Sequence, residues 1–118
     1  GGFNGARRLR SAERFRPEVG VWEPLPKMLE PRSVAASAVI DGRIYVCGGF
    51  GGMQGLSSAE FFDPQVGEWK AIAPMAEARS HAAVALIDGR LLVLGGFSGA
   101  EQLSTVERFD PATGRWTQ

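Results

Sequence analysis

The stretch Arg43-Ile44-Tyr45-Val46-Cys47-Gly48-Gly49-Phe50 is an apolar run of strand length that stops on two adjacent glycines. It returns as Arg90-Leu91-Leu92-Val93-Leu94-Gly95-Gly96-Phe97, and its last three residues open the chain as Gly1-Gly2-Phe3. Both intervals are 47 residues, with no insertion or deletion. The register holds far from the glycines, at Trp22, Trp69 and Trp116, at Pro17, Pro64 and Pro111, at Gly20, Gly67 and Gly114, and at Glu13, Glu60 and Glu107. A fixed period near 50 marks a repeat architecture in which each unit is one supersecondary element that cannot bury its apolar face alone. The 118 residues hold two and a half units: residues 1–31 as the C-terminal half of one, then 32–78 and 79–118.

Within the unit that starts at residue 32, Val34-Ala35-Ala36-Ser37-Ala38-Val39-Ile40 reads as a first strand. Asp41-Gly42 is a two-residue hairpin signal, and residues 43–48 return as the second strand. The next unit repeats this with residues 81–87, Asp88-Gly89 and residues 90–95. Small side chains in the first strand suit a place where several sheets converge on a common axis. After the glycines, Phe50–Gly55 reads as a loop, Leu56–Phe62 as a third strand, Asp63–Gly67 as a turn and Glu68–Ile72 as a fourth strand. Four short strands joined by turns describe an antiparallel sheet, and no amphipathic helix competes with that reading. A glycine pair lets another backbone or a ring approach the strand end, and each Trp is expected to fill space between neighbouring sheets.

Composition narrows the functional classes. Thirteen basic and thirteen acidic residues leave a formal net charge of zero, so no global field draws in nucleic acid or an anionic membrane. The single cysteine, Cys47, cannot form an intrachain disulfide, and no apolar run approaches the ~18 residues of a membrane span. These features point to a reducing, cytoplasmic setting. The absence of an initiator Met and of a signal peptide is expected of a piece cut from a longer protein.

Taken together, these residues resemble kelch repeats, the four-stranded blades of kelch β-propellers. The resemblance rests on Gly-Gly at 1–2, 48–49 and 95–96, the spaced Trp22, Trp69 and Trp116, and Asp-Gly at 41–42 and 88–89. Ser-Ala-Glu at 11–13 and 58–60, Thr-Val-Glu at 105–107, and the phenylalanines that follow complete it. It implies an all-β fold: a partial propeller of one half blade plus two full blades. Pro-Arg-Ser at 31–33, Ala-Arg-Ser at 78–80 and the Gly-Gly-Phe-x-Gly segments look most like the kelch-like proteins with an N-terminal BTB domain. Those proteins use the propeller to bind substrates for cullin-RING ubiquitin ligases, and some relatives bind actin. The resemblance therefore implies a protein or peptide partner, cullin through a BTB domain outside these residues, and actin as an alternative with a cytoskeletal location. Such propellers close with about six blades, so the blade edges of two and a half units are expected to stay open, favouring association or marginal stability.

Few residues suggest chemistry. His81 is the sole histidine; as a catalytic base it would need a nucleophile or an orienting carboxylate nearby, and one soft ligand does not make a metal site. In kelch-like propellers the matching position, at the mouth of the first strand, often contacts bound peptide. Cys47 stands where Leu94 stands one unit later, and Tyr45 where Leu92 stands, so both read as packing residues. The copper-radical oxidases built on kelch-type propellers need several Tyr, His and Cys ligands, which this chain does not offer. No Gly-Lys-Ser/Thr and no helix follow the glycine-rich loops, so a phosphate cradle is not indicated.

Arg7, Arg8, Arg10, Arg14 and Arg16 form a local basic cluster. Arg14 and Arg16 flank Phe15 on a strand as a solvated face, and the loop residues Arg7 and Arg8 are available to an acidic peptide. Arg32 and Arg79, with Glu60 and Glu107, recur in register and are expected to form one Arg–carboxylate pair per blade. The expected contact surface is a set of loops that differ between copies while the scaffold repeats. It comprises Phe3, Asn4, Arg7 and Arg8; Ser33 and Val34; Phe50, Met53 and Gln54; Ser80 and His81; and Phe97, Ser98, Glu101 and Gln102. The reading is of a binding module without cofactor or metal. A propeller enzyme whose active site needs further blades stays open as the alternative.

Overall fold

The computed structural model describes residues 1–118 as ten antiparallel strands with no helix. Strands β1 (Ala12–Arg16) and β2 (Val21–Leu25) form a two-stranded sheet. β3 (Ala36–Ile40), β4 (Arg43–Cys47), β5 (Ala59–Asp63) and β6 (Glu68–Ile72) form a four-stranded sheet in sequence order. β7 (Ala83–Ile87), β8 (Arg90–Leu94), β9 (Val106–Asp110) and β10 (Arg115–Thr117) repeat it. Each full sheet is a meander, as the expected strand–turn spacing requires.

The turns follow from local chemistry. Asp41 and Gly42 take φ of 50° and 77°, and Asp88 and Gly89 take 51° and 72°, the left-handed pair that a two-residue hairpin needs to match strand twist. In the β5–β6 turn, the Asp63 carboxylate accepts from the Gln65 amide at 3.0 Å, and Gly67 N–H donates to the Asp63 carbonyl at 2.7 Å. The first and third strands are shorter than expected. Val34 has φ of 49° and breaks extended geometry before Ala36, while Leu56 N–H donates back to the Gly49 carbonyl at 2.8 Å, so residues 56–58 belong to the loop.

The core lies between sheets. Ala36, Ile40, Tyr45, Cys47 and Ala59 of one full sheet meet Leu91, Val93 and Phe109 of the next, with Met75 sealing the junction. Strands β3 and β7 face each other, and their alanines keep that approach short. A second cluster of Met28, Val46, Phe62 and Trp69 joins the two-stranded sheet to the first full one. Trp69 Nε1 donates to the Pro26 carbonyl at 2.8 Å and Trp116 Nε1 to the Ala73 carbonyl at 2.6 Å, so each indole reaches back across one sheet boundary. Trp22 differs from this expectation: it packs on Phe15 with ring centroids 5.2 Å apart and stays 62 % exposed.

The glycine pairs serve close approach. A Cβ on Gly48 would collide with the Arg79 carbonyl, and one on Gly49 would lie 2.6 Å from the Ser33 carbonyl. The absent side chains let Gly49 N–H donate to the Arg79 carbonyl at 2.8 Å, as Gly2 N–H does to that of Arg32 at 2.7 Å. Both bonds cross from one sheet to the next.

Candidate functional site

The loops that carry the expected contact residues stand on a buried ionic frame. Arg32 Nε donates to Glu60 Oε2 at 3.0 Å, and Arg79 Nε to Glu107 Oε2 at 3.0 Å, with all four side chains sealed from solvent. The second fork of each guanidinium reaches two carbonyls, Gly48 and Ser58 for Arg32, and Gly95 and Thr105 for Arg79, all at 2.9 Å. These four bonds tie the end of the second strand to the start of the third, which are the two feet of the intervening loop. The expected pair is present in both units. Glu30 and Glu77, not anticipated from the sequence, complete it by accepting from Arg32 Nη2 at 3.3 Å and Arg79 Nη2 at 3.2 Å. Each also accepts from the hydroxyl just before the third strand, Ser58 or Thr105. No buried side-chain polar atom lacks a partner, which is what a buried charge network requires in order to persist.

Above this frame the three post-glycine loops share one plan. Phe3 pairs with Arg8, Phe50 with Gly55 and Phe97 with Gln102 as isolated antiparallel bridges, and Ser33 and Ser80 pair with Phe50 and Phe97. Asn4 Oδ1 accepts from the amides of Ala6 and Arg7 at 2.9 and 2.8 Å, and Ser98 Oγ accepts from those of Ala100 and Glu101 at 3.2 Å. These two side chains therefore build turns. Ser33 and Ser80 are buried and donate to the Phe50 and Phe97 carbonyls at 3.3 Å.

Two groups of candidates converge. In the first, the Arg8 guanidinium sits 4.0 Å from the centre of the Phe3 ring and 4.9 Å from that of Phe50, and its Nε donates to Ser33 Oγ at 2.9 Å. Two cation–π contacts and a hydrogen bond hold this arginine across a sheet boundary. In the second, His81, Phe97 and Gln102 line a shallow cavity of about 320 Å³, with His81 Nδ1 3.3 Å from Ser80 Oγ. Met53 and Gln54 belong to a third depression, of about 240 Å³, shared with Glu30, Pro31 and Leu56, where Met53 stands 97 % exposed. Val34 and His81 both have left-handed φ, 49° and 57°, and His81 N–H donates to the Val34 carbonyl at 3.0 Å, linking successive loops edge to edge.

The other candidates fall outside the site. Arg14 and Arg16 both pair with Glu23, whose carboxyl these two guanidinium groups hold below the usual carboxylate range. Cys47 is buried, and desolvation pushes its thiol up to about 12, so it stays protonated. Tyr45 stacks on Phe61 at 5.4 Å. No group of three or more His, Cys, Asp or Glu gathers to hold a metal, and no helix is long and apolar enough to cross a membrane. The sequence reading of the loops passed over Lys27 and did not place Arg10 at the site. Both line a groove with Arg7 and Arg8, and their lack of a periodic acidic counterpart was the available signal.

Repeated four-stranded meanders that pack face to face, each sending a tryptophan and a glycine amide across the boundary, define blades of a β-propeller. A family model for the Kelch motif matches residues 1–29, 31–76 and 78–118, and the chain belongs to that family. Such repeats generally form protein-interaction propellers. Kelch-like protein 35 of Mus musculus is 46% identical over 48 residues, covering 41% of this chain and 8% of that protein. An F-box/kelch-repeat protein of Arabidopsis thaliana is also 46% identical over 48 residues, covering 41% of this chain and 14% of its own. The chain thus spans a small part of the relatives it matches. Among solved structures, that of YjhT superposes with a TM-score of 0.78 at 16% identity, covering 96% of this chain and 51% of that one, a likeness of fold.

Proposed function

We propose that the loop face of these blades recognises a protein or peptide, and that it serves as the substrate-binding surface of a cytoplasmic cullin-RING ubiquitin-ligase adaptor. The observation that carries the reading is Arg8, held between Phe3 and Phe50 on top of the buried ionic frame, with Met53 exposed on the same loop as Phe50. A rigid amphipathic anchor next to an adaptable apolar side chain is what protein-recognition surfaces are built from. The matches to a kelch-like and to an F-box/kelch-repeat protein agree with an adaptor role, in which cullin is met through a BTB domain outside these residues. Catalysis is less well served: the Ser80 hydroxyl is engaged with the Phe97 carbonyl, and no carboxylate in the chain bonds the His81 ring. An actin-binding role remains the alternative for the same face.

The test is affinity capture with the full-length protein that contains these residues, beside a version carrying Arg7→Ala, Arg8→Ala and His81→Ala. A partner captured by the first, lost by the second and ubiquitinated in a reconstituted ligase supports the reading. Undiminished capture by the triple variant overturns the loop-face assignment. Cosedimentation with actin filaments that depends on the same three residues replaces the ligase role.

A further inference from the structure

Asn4 is the chain's single asparagine, and a glycine follows it. A side-chain amide can be attacked by the main-chain nitrogen of the next residue to close a five-membered imide, and glycine, lacking a Cβ, hinders that approach least. Asparagine is accordingly one of the residues that limit the chemical lifetime of a protein. The first post-glycine loop presents this pair in a form suited to the reaction.

The nucleophile is free: Gly5 is exposed, its N–H donates to no group of the chain, and a Cβ placed on it would meet nothing within 4 Å. The electrophile is polarised. Asn4 Oδ1 accepts from the amides of Ala6 at 2.9 Å and Arg7 at 2.8 Å. Attack at Cγ puts the developing negative charge on that oxygen, and preorganised backbone donors at such distances are what stabilise an oxyanion. The leaving group is also unhindered, since Asn4 Nδ2 donates to nothing in the chain. Asn4 N–H closes the turn on the Arg7 carbonyl at 3.2 Å and so holds the amide beside its attacker.

The fold does not require the amide. One and two periods later the same position holds Gly51 and Ser98, each again followed by a glycine, Gly52 and Gly99. Those loops close by the equivalent bond, Gly51 N–H to the Gln54 carbonyl at 3.2 Å and Ser98 N–H to that of Glu101 at 3.0 Å, and Gly5, Gly52 and Gly99 share φ of 96°, 113° and 99°. Ser98 even forms the same two side-chain bonds, at 3.2 Å, with a hydroxyl that cannot be displaced in this way. The reactive pair is confined to the loop that carries Arg8.

We propose that Asn4-Gly5 is a self-modification site, in which the turn promotes deamidation of Asn4 in the folded protein. The Gly5 nitrogen gives its proton to hydroxide and bonds to Asn4 Cγ, the Cγ–Nδ2 bond breaks, and Nδ2 takes up a proton and leaves as ammonia. Water then opens the imide. Cleavage of the new N–Cγ bond gives aspartate at position 4 on an unaltered backbone, whereas cleavage between the Asn4 carbonyl carbon and the Gly5 nitrogen gives isoaspartate, with the main chain rerouted through Cγ. Either product adds one negative charge to a neutral chain. Aspartate keeps both turn bonds and strengthens them by its charge. Isoaspartate lengthens the main chain by one carbon and undoes the turn whose closure sets Phe3 opposite Arg8 and Leu9 N–H on the Gly2 carbonyl at 2.8 Å. The site thus limits the lifetime of the loop, whatever the loop binds.

The test follows the peptide that ends at Arg7, by mass spectrometry with isoaspartate-specific methylation, in the full-length protein that contains these residues. One sample is held folded at neutral pH and a second is unfolded in urea at the same pH. Aspartate and isoaspartate at position 4 are expected to accumulate in the folded sample at a rate equal to or above that of the unfolded one, because the turn presents the amide rather than shielding it. Asn4→Ser, which copies the third loop, is expected to abolish both products and to leave the melting temperature unchanged. Hydrogen exchange of the Leu9 amide is expected to be at least about tenfold faster in the isoaspartate fraction than in Asn4→Asp, which keeps the turn. A folded rate below the unfolded one, or Leu9 exchange that is the same in both, overturns the proposal. Partner capture is no part of the readout: a protected Asn4 leaves the recognition reading standing, and a loop face that captures nothing leaves the deamidation result intact.

Discussion

Arg79 and Glu107 meet at 3.0 Å with both side chains closed off from solvent, and the same carboxylate accepts the Ala76 amide at 2.6 Å from the segment that arrives from the preceding blade. One buried pair thus fixes a blade internally and fastens it to the chain entering it. Glu60 does the same for Leu29 N–H at 2.8 Å.

Replacing Glu107 by Gln keeps the shape but leaves the Arg79 charge uncompensated and sets an amide donor against the Ala76 or the Arg79 donor. A loss of about 3 kcal/mol or more is expected on denaturant unfolding. Arg90→Gln, which breaks the partly exposed Arg90–Asp110 contact at 3.5 Å, is expected to cost less than about 1 kcal/mol. Equal midpoints for the two variants would refute the structural weight given to the buried pair.

Two glycines with positive φ separate backbone strain from crowding. Gly67, with φ of 77°, has open space where a Cβ would stand, and Gly67→Ala is expected to cost about 1–2 kcal/mol from conformation alone. Gly49, with φ of 97°, has the Ser33 carbonyl in that space, so Gly49→Ala is expected to cost about 3 kcal/mol or more. Comparable melting temperatures for the two would mean that the boundary yields easily.

Val34 is a β-branched residue at φ of 49°, a conformation it adopts only under constraint. Val34→Asn retains the backbone with a residue that tolerates it and is expected to raise stability by about 1 kcal/mol, read as a higher melting temperature. A lower one would show that the exposed valine side chain contributes more packing than its backbone loses.

Cys47 ties stability to alkaline pH. In the unfolded chain the thiol ionises near its ordinary value of 9.0, whereas in the fold burial holds it protonated up to about 12. The unfolded state therefore binds fewer protons in that window, and stability falls as pH rises from about 9 toward 12. At pH 10.5 the loss from this group is about 2 kcal/mol relative to pH 8. Cys47→Ala is expected to flatten the fall between these two pH values; an unaltered slope would place the cause elsewhere.

The blade order, the hairpin turns and the Arg–Glu pairs were legible because each obeys the 47-residue period and each has a local or chemical signature. Glu30 and Glu77 obey the same period, yet they lie on connecting segments, Glu30 next to Pro31 and Glu77 three residues after Pro74, where an acidic residue looks like ordinary solvent-facing polarity. The strand starts were misjudged at Val34, since sequence gives no sign that a β-branched residue turns left-handed before Ala36. The site was harder to see for a related reason. Arg8, Phe3, Phe50 and Ser33 gather across a blade boundary, and Arg10 and Lys27 join them only because residues 9–11 run beside residues 28–32. Such neighbours come from different periods or half-periods, which a comparison of equivalent positions does not bring together.

The amide of His81 bonds the Val34 carbonyl, 47 positions earlier in the chain, and no other hydrogen bond reaches further. Every contract between blades is therefore written within a single period. Excising residues 49–95 and joining Gly48 to Gly96 would remove one period and hand each surviving donor an equivalent acceptor, as duplicating the same segment would. A chain with this property can change its blade number by copying or losing whole units, and the only bond set that must be renegotiated is the one where the first and last blades meet.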